Sequence, residues 1–313
     1  MKLFVQIPCL NEETTLPAVL ESIPTSVPGV DEIEVLVIDD GSTDRTVEVA
    51  RAHGVTHFVR HTTNMGLARS FRDGVDYALL HGADIVVNTD GDDQYPQARI
   101  ADLVQPILRG EAEIVIGDRQ TRTIEHFSTL KKGMQRLGSW VASRAAGLDL
   151  PDAASGFRAY SKYSLIRLNI GTRFSYCMET IVQAGYKRLA IASIPITTNP
   201  KTRESRLFRN MWQHVFASGS AIARVYLMYR PMALFASVSA VLLVAGLVPF
   251  VRYLVLLSSG SGGNHLQSLL IGIVLVITAV LSMTIGVVAD LTRLNRTLAE
   301  EQLDLQKLAR YGD

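Results

Sequence analysis

Charge is nearly missing from one long stretch of this 313-residue chain: between residues 231 and 289 the only charged side chain is Arg252. Two apolar runs fill that stretch, Met232 to Val251 and Leu266 to Ala289, and each matches the roughly 20 residues a helix needs to cross a bilayer. An integral membrane protein is therefore expected. Cysteine is scarce too. Only Cys9 and Cys177 occur, which excludes a small secreted scaffold held by disulfides. Net charge is only +1, so the global balance gives no electrostatic footprint for nucleic acid. His53, His57, His61, His81, His126, His214 and His265 show no paired helical spacing, and surface or packing roles are expected for each instead of metal ligation. A Gly-x-Ser-x-Gly elbow and a glycine-rich phosphate loop are both absent, leaving hydrolase and P-loop readings without support.

The first 200 residues alternate in a different way. The opening Met1 to Ile7 is too short an apolar run for a secretory signal, and Leu3 to Ile7 reads as a first strand ending at Pro8. Asn11-Glu12-Glu13 is expected to begin a helix running towards Ile23. Glu34 to Ile38 reads as a second strand, with Asp39-Asp40-Gly41-Ser42 as its turn and Ser42 or Thr43 as the next N-cap. A third strand, Thr56 to Arg60, leads through Asn64-Met65-Gly66 into a helix over Leu67 to Leu80. Asp84 to Val87 follows, and Ile114 to Gly117 and Leu189 to Ile196 repeat the strand signal. Strands alternating with helices give an α/β fold with a mostly parallel sheet.

Beyond the Asp84 to Val87 strand lies Asn88-Thr89-Asp90-Gly91-Asp92-Asp93-Gln94. Ligands gather past the carboxyl ends of such strands, and hard oxygen ligands in that loop suit Mg²⁺ or Mn²⁺ bridged to phosphates. A solvated acidic turn would look the same in isolation.

Four motifs in register change that balance. Ile7-Pro8-Cys9-Leu10-Asn11-Glu12, Val37-Ile38-Asp39-Asp40-Gly41-Ser42-Thr43-Asp44, Asn64-Met65-Gly66-Leu67 and Asp90-Gly91-Asp92-Asp93-Gln94-Tyr95-Pro96 occur in the order and spacing of family 2 glycosyltransferases, and the chain resembles that family, whose fold is GT-A. Gly117-Asp118-Arg119, Asp152 to Arg158, Glu179 and Lys201 to Arg206 are similar to the polyprenyl-phosphate sugar synthases, a branch holding dolichol-phosphate mannose synthases and bactoprenol glucosyltransferases. The resemblance implies a cytoplasmic GT-A catalytic domain over 1–205, with a nucleotide-binding half up to about residue 95. An amphipathic juxtamembrane helix is expected over 206–230. Two transmembrane helices are expected within 231–290, with an outer loop at about 258–265, and a cytoplasmic helix over 291–313.

The implied reaction is metal-dependent, inverting transfer of a hexose from a UDP- or GDP-hexose to a polyprenyl phosphate. By family position, Asp92 and Gln94 hold Mg²⁺ or Mn²⁺, Asp90 supports the nucleotide or the surroundings of the metal, and Asp93 points away. Pro8, Asn11, Glu12, Asp39 and Asp40 line the base and ribose pocket; Leu10 stands where the family often has a tyrosine. Because the second pKa of a phosphate monoester is around 6, the acceptor oxygen is largely anionic and no strong general base is needed. The demand moves to cations that bring two anions together. Arg119 and Arg203 are the leading candidates, with Lys131, Lys132 and Arg136 behind them. Asp152 has two readings: it orients the metal or acceptor, or it caps the Ser155-Gly156-Phe157 turn.

Arg224 and Arg230 precede the first apolar run, Arg293 and Arg296 follow the second, and residues 258–265 contain no Lys or Arg, so both termini are expected in the cytoplasm. Leu291, Leu294, Leu298, Leu305 and Leu308 form a partial heptad, compatible with a homo-oligomer seam or with a solvated or membrane-surface helix. Two other readings compete with the polyprenyl-phosphate one: transfer to a different membrane acceptor, such as a diacylglycerol or nascent polysaccharide, and an inactive membrane scaffold. The Gln-x-x-Arg-Trp motif of processive synthases is missing.

Overall fold

Aliphatic and β-branched runs build the strands of a seven-stranded sheet. The computed structural model describes residues 1–120, 152–170, 176–199, 227, 231–258 and 266–312. The strands are β1 (Lys2–Cys9), β2 (Glu32–Asp39), β3 (His57–Arg60), β4 (Ile85–Asn88), β5 (Ile114–Asp118), β6 (Arg158–Ser161) and β7 (Ile191–Pro195). They lie in the order β3-β2-β1-β4-β6-β5-β7. Only β6 runs antiparallel to its neighbours, β4 and β5. The first four strands therefore form a parallel half, and the last three, with β6 reversed, a mixed half, a division that follows chain order.

Alternate residues of β1 serve opposite faces. Phe4 joins a cluster with Ile38, Phe71, Tyr160 and Tyr176, while Leu3, Val5 and Ile7 join Val37, Val87, Leu103 and Phe157 on the other side. Burial on both faces explains why these strands read as continuous apolar runs. Helices α1 (Leu16–Ser22), α2 (Thr46–Ala52), α3 (Leu67–Leu80), α4 (Ile100–Leu108), α5 (Lys162–Arg167) and α6 (Tyr176–Tyr186) connect or cover them.

Two expected helix starts are displaced. Residues 11–15 do not begin α1, because Asn11 is left-handed at φ 56° and its backbone N–H donates to Ser42 Oγ at 3.0 Å. Nor do Ser42 or Thr43 cap α2. Ser42 N donates to Asp39 Oδ1 and Thr43 N to Asn11 Oδ1, and Asp44 Oδ1 receives Thr46 N at 3.0 Å instead. In both places bonds between loops outcompete the local helical start.

The chain forms two compact units, residues 1–222 with 302–313, and residues 223–301. The second contains α7 (Pro231–Ser258) and most of α8 (Leu266–Tyr311), two helices long and apolar enough to cross a membrane, with mean hydropathy 2.4 and 2.6 in their most apolar windows. Small residues bring them together: a Cβ on Gly246 would lie 3.1 Å from Gly272 O, and Ser239 Oγ donates to Ala279 O at 2.8 Å. The end of α8 belongs to the first unit. There Asp304 accepts from Lys187 Nζ and Asn169 Nδ2, both at 2.6 Å, and Tyr311 is buried. The leucines of the partial heptad are all exposed, so the docked side of α8 is a polar stripe and not the leucine seam.

Candidate active site

Register places the motifs at one edge. Cys9 lies beside Asp39 and Gln6 beside Asn88, so β1, β2 and β4 release their loops at neighbouring points. Even-numbered residues of β1 face β4, as Gln6 O accepting from Thr89 N shows. Pro8 thus turns its missing N–H to a side where β4 has ended, the one kind of place where a proline suits a central strand.

The first two loops lock together. Asn11 Oδ1 accepts from Thr43 N at 2.7 Å, and Glu12 N donates to Thr46 Oγ1 at 2.8 Å. Buried Glu12 lies against the acidic loop through Thr15, whose hydroxyl is 2.8 Å from Glu12 Oε2 and 2.7 Å from Gly91 O. Asp39 and Asp40 are also buried. Asp39 binds the Ser42 backbone, and its other oxygen lies 3.4 Å from Arg60 Nε. Asp40 accepts from Met65 N and Gly66 N at 2.8 and 2.9 Å. Leu10 is half-buried at the end of β1.

The acidic loop brings Asp90, Asp92 and Gln94 together. Gln94 Nε2 donates to Asp92 Oδ2 at 2.6 Å and its backbone N–H lies 3.2 Å from Asp92 Oδ1. Burial, and then the Asp92 charge, push the Asp90 carboxyl up to about 7, against the opposing pull of Arg119. The oxygens of Asp90, Asp92 and Gln94 are hard donors of the kind Mg²⁺ or Mn²⁺ takes. Among the described residues, however, no group of three or more His, Cys, Asp or Glu side chains is arranged to hold a metal ion, and the Gln94 amide turns its Nε2 to Asp92. Asp93 forms the left-handed corner at φ 57°, held by Asn199 Nδ2 donating to its backbone oxygen at 3.0 Å.

Facing this loop, Arg119 and Asp152 form a two-point ion pair: Nε to Oδ2 at 2.7 Å and Nη2 to Oδ1 at 3.0 Å. Burial raises the Asp152 pKa, but the Arg119 guanidinium outweighs it and holds the carboxyl below its ordinary value. Asp152 takes up one edge of the guanidinium fork, through Nε and Nη2. The loop after Asp152 is suspended from below. Arg158, fully buried, donates to Ala153 O at 2.8 Å, Ser155 O at 2.7 Å and Cys177 O at 2.9 Å. Asn88 Nδ2 donates to Gly156 O and Gly156 N to Tyr95 OH, both at 3.0 Å. A Cβ on Gly156 would sit 3.5 Å from both Asp90 oxygens, so glycine lets this backbone press against the acidic loop.

Arg203, Lys131, Lys132, Arg136 and almost all of the 206–230 segment lie outside the described residues. Asn88, Tyr95, Arg158, Tyr176 and Asn199 support the site without having been singled out for that role. Asn88 opens the acidic stretch, and Tyr95 and Arg158 sit inside the motifs, while nothing local marks Tyr176 or Asn199. Among the histidines expected in surface or packing roles, His61 places its ring between Asp40 and Asp73.

The profile of Glycosyl transferase family 2 matches residues 4–168. The undecaprenyl-phosphate mannosyltransferase of Micrococcus luteus is 29% identical over 207 residues, covering 63% of this chain and 83% of that protein. The dolichyl-phosphate hexose transferase of Haloferax volcanii is 29% identical over 215 residues, covering 68% of this chain and 87% of its own length. A crystal structure of glucosyl-3-phosphoglycerate synthase from Mycobacterium tuberculosis, with Mn²⁺, UDP-glucose and phosphoglyceric acid, superposes with a TM-score of 0.55 at 25% identity over 72% of this chain and 78% of that one.

Proposed function

The chain belongs to glycosyl transferase family 2, and from that premise we propose that it transfers a hexose, with inversion, from a UDP- or GDP-sugar to a polyprenyl phosphate at the cytoplasmic leaflet. The observation that carries this reading is the meeting of two charge patterns at one sheet edge. The Asp90–Gln94 loop offers oxygens suited to a divalent cation, and the Arg119–Asp152 pair opposite offers an oriented cation suited to a second anion. Relatives named for transfer to undecaprenyl or dolichyl phosphate, and two apolar helices in the same chain, support a lipid acceptor.

In this reading Asp92 and Gln94 hold Mg²⁺ or Mn²⁺. When bound, the cation stabilises the departing diphosphate. Asn11, Glu12, Asp39 and Asp40 shape the nucleotide side, with Pro8 at its floor and Asp90 behind the metal ligands. Arg119, oriented by Asp152, approaches the acceptor phosphate, whose charge removes the need for a strong base. Arg203 is assigned the same role as Arg119. The test incubates purified protein with polyprenyl phosphate and a panel of UDP- and GDP-hexoses, followed by mass spectrometry of the lipid. One sugar giving a lipid heavier by a single hexose supports the proposal; no lipid product from any donor refutes it.

A further inference from the structure

We propose that His61 is a positioning residue for the donor nucleotide: it holds the Asp40 carboxylate that fixes the Met65–Gly66 backbone beside the Asp39–Ser42 turn. This rests on the nucleotide-sugar reading above.

Asp40 is 5% exposed, and both of its oxygens are engaged. Oδ1 lies 2.7 Å from His61 Nδ1 and accepts from Met65 N at 2.8 Å, while Oδ2 accepts from Gly66 N at 2.9 Å. A buried carboxylate is costly to leave without donors, so this trio sets where the loop can rest. The loop and the turn also touch backbone to backbone. A Cβ on Gly41, at φ +80°, would come 2.8 Å from the carbonyl carbon of Thr63. Any shift of residues 63–66 is thereby passed to the Asp39–Ser42 turn.

His61 is anchored from behind. Its Nε2 lies 3.2 Å from Asp73 Oδ2 on α3, the same oxygen that accepts from Arg69 Nε at 2.6 Å, and Arg72 Nε is 3.6 Å from Asp73 Oδ1. The backbone N–H of His61 donates to Asp39 O at 2.9 Å, fixing the ring's base to β2. The imidazole is therefore a strut from α3 to Asp40, and its two nitrogens have separable tasks: Nδ1 serves the donor loop and Nε2 serves the anchor.

That division gives the test. At position 61, asparagine places an amide nitrogen near Nδ1, and glutamine places one near Nε2. Full-length His61→Ala, His61→Asn and His61→Gln are compared in detergent by steady-state kinetics and by hydrogen exchange at Met65 and Gly66. Loss of the charge-assisted contact in His61→Ala and His61→Gln should raise donor KM by about five- to tenfold, with acceptor KM within about twofold of wild type. Exchange at Met65 and Gly66 should quicken in those two variants, and His61→Asn should stay close to wild type in both readouts. Equal behaviour of Asn and Gln, or unchanged exchange in His61→Ala, would overturn the proposal. Exchange needs no nucleotide, so a wild-type protein that ignored every nucleotide sugar would sink the transferase reading while the strut was still decided.

Discussion

At the scale of single residues, the catalytic reading turns on Asp92. Its carboxylate and the Gln94 amide face each other at 2.6 Å, and burial, with the Asp92 charge second, raises the Asp90 pKa beside them. Asp92→Ala should abolish transfer stimulated by Mn²⁺ or Mg²⁺ while leaving the chain folded and membrane-bound, and a chelator should do the same to the wild type. Activity assays with and without chelator check this; full activity in either case removes the cation from the mechanism. The acidic loop was legible because its oxygen ligands are consecutive in sequence after a buried strand. The roles of Asn11 and Asp40 were less so. Both were placed at the nucleotide pocket, and both spend side-chain oxygens on other loops, through Thr43 and through Met65 and Gly66. Contacts of that kind join positions 25 to 32 residues apart, which no local pattern encodes.

At the scale of elements, the loop between Asp152 and Arg158 shows what long-range packing adds. Its position depends on Arg119, Asn88, Tyr95 and Arg158 together. Asp152 has its folded pKa lowered, so its ion pair contributes stability that is complete above the unfolded carboxylate value of about 4 and is lost as pH falls through the lower folded value. Asp152→Asn should flatten that acid-side loss, and at neutral pH it should cost towards the low end of roughly 3–5 kcal/mol, because Arg119 keeps some contact with solvent. Melting curves from pH 3 to 7 in detergent provide the check, and an unchanged acid limb would contradict the pair's role. Helix α3 spans Leu67–Leu80, the bounds expected from the sequence pattern after Asn64-Met65-Gly66. The glycine in its middle was not explained by that pattern. A Cβ at Gly74 would meet Gln6 Oε1 at 2.6 Å and Ile38 Cδ1 at 2.9 Å, so any larger residue there forces the ends of side chains from two different strands to shift.

For the whole molecule, the sheet half that follows chain order and the two apolar helices were both legible, since buried parallel strands and lipid-facing helices each demand long apolar runs. The docking of residues 302–313 on the first unit was not, because it uses Asp304, Lys307 and Tyr311 while the leucines beside them stay exposed. A topology with both ends in the cytoplasm makes a further prediction: a cysteine at Ser261 should react with an impermeant thiol reagent from outside intact cells, and one at Ser42 should not. Cys9 and Cys177 are both buried, which keeps the background low. The reverse labelling would separate the site from its nucleotide-sugar supply. The central claim, transfer to a lipid phosphate, is tested most directly by offering the protein a polyprenyl phosphate and the matching uncharged polyprenol together, with Mn²⁺ and the preferred nucleotide sugar, and weighing the lipid products by mass spectrometry. The account predicts hexose on the phosphate alone; hexose on the alcohol in equal measure would contradict it.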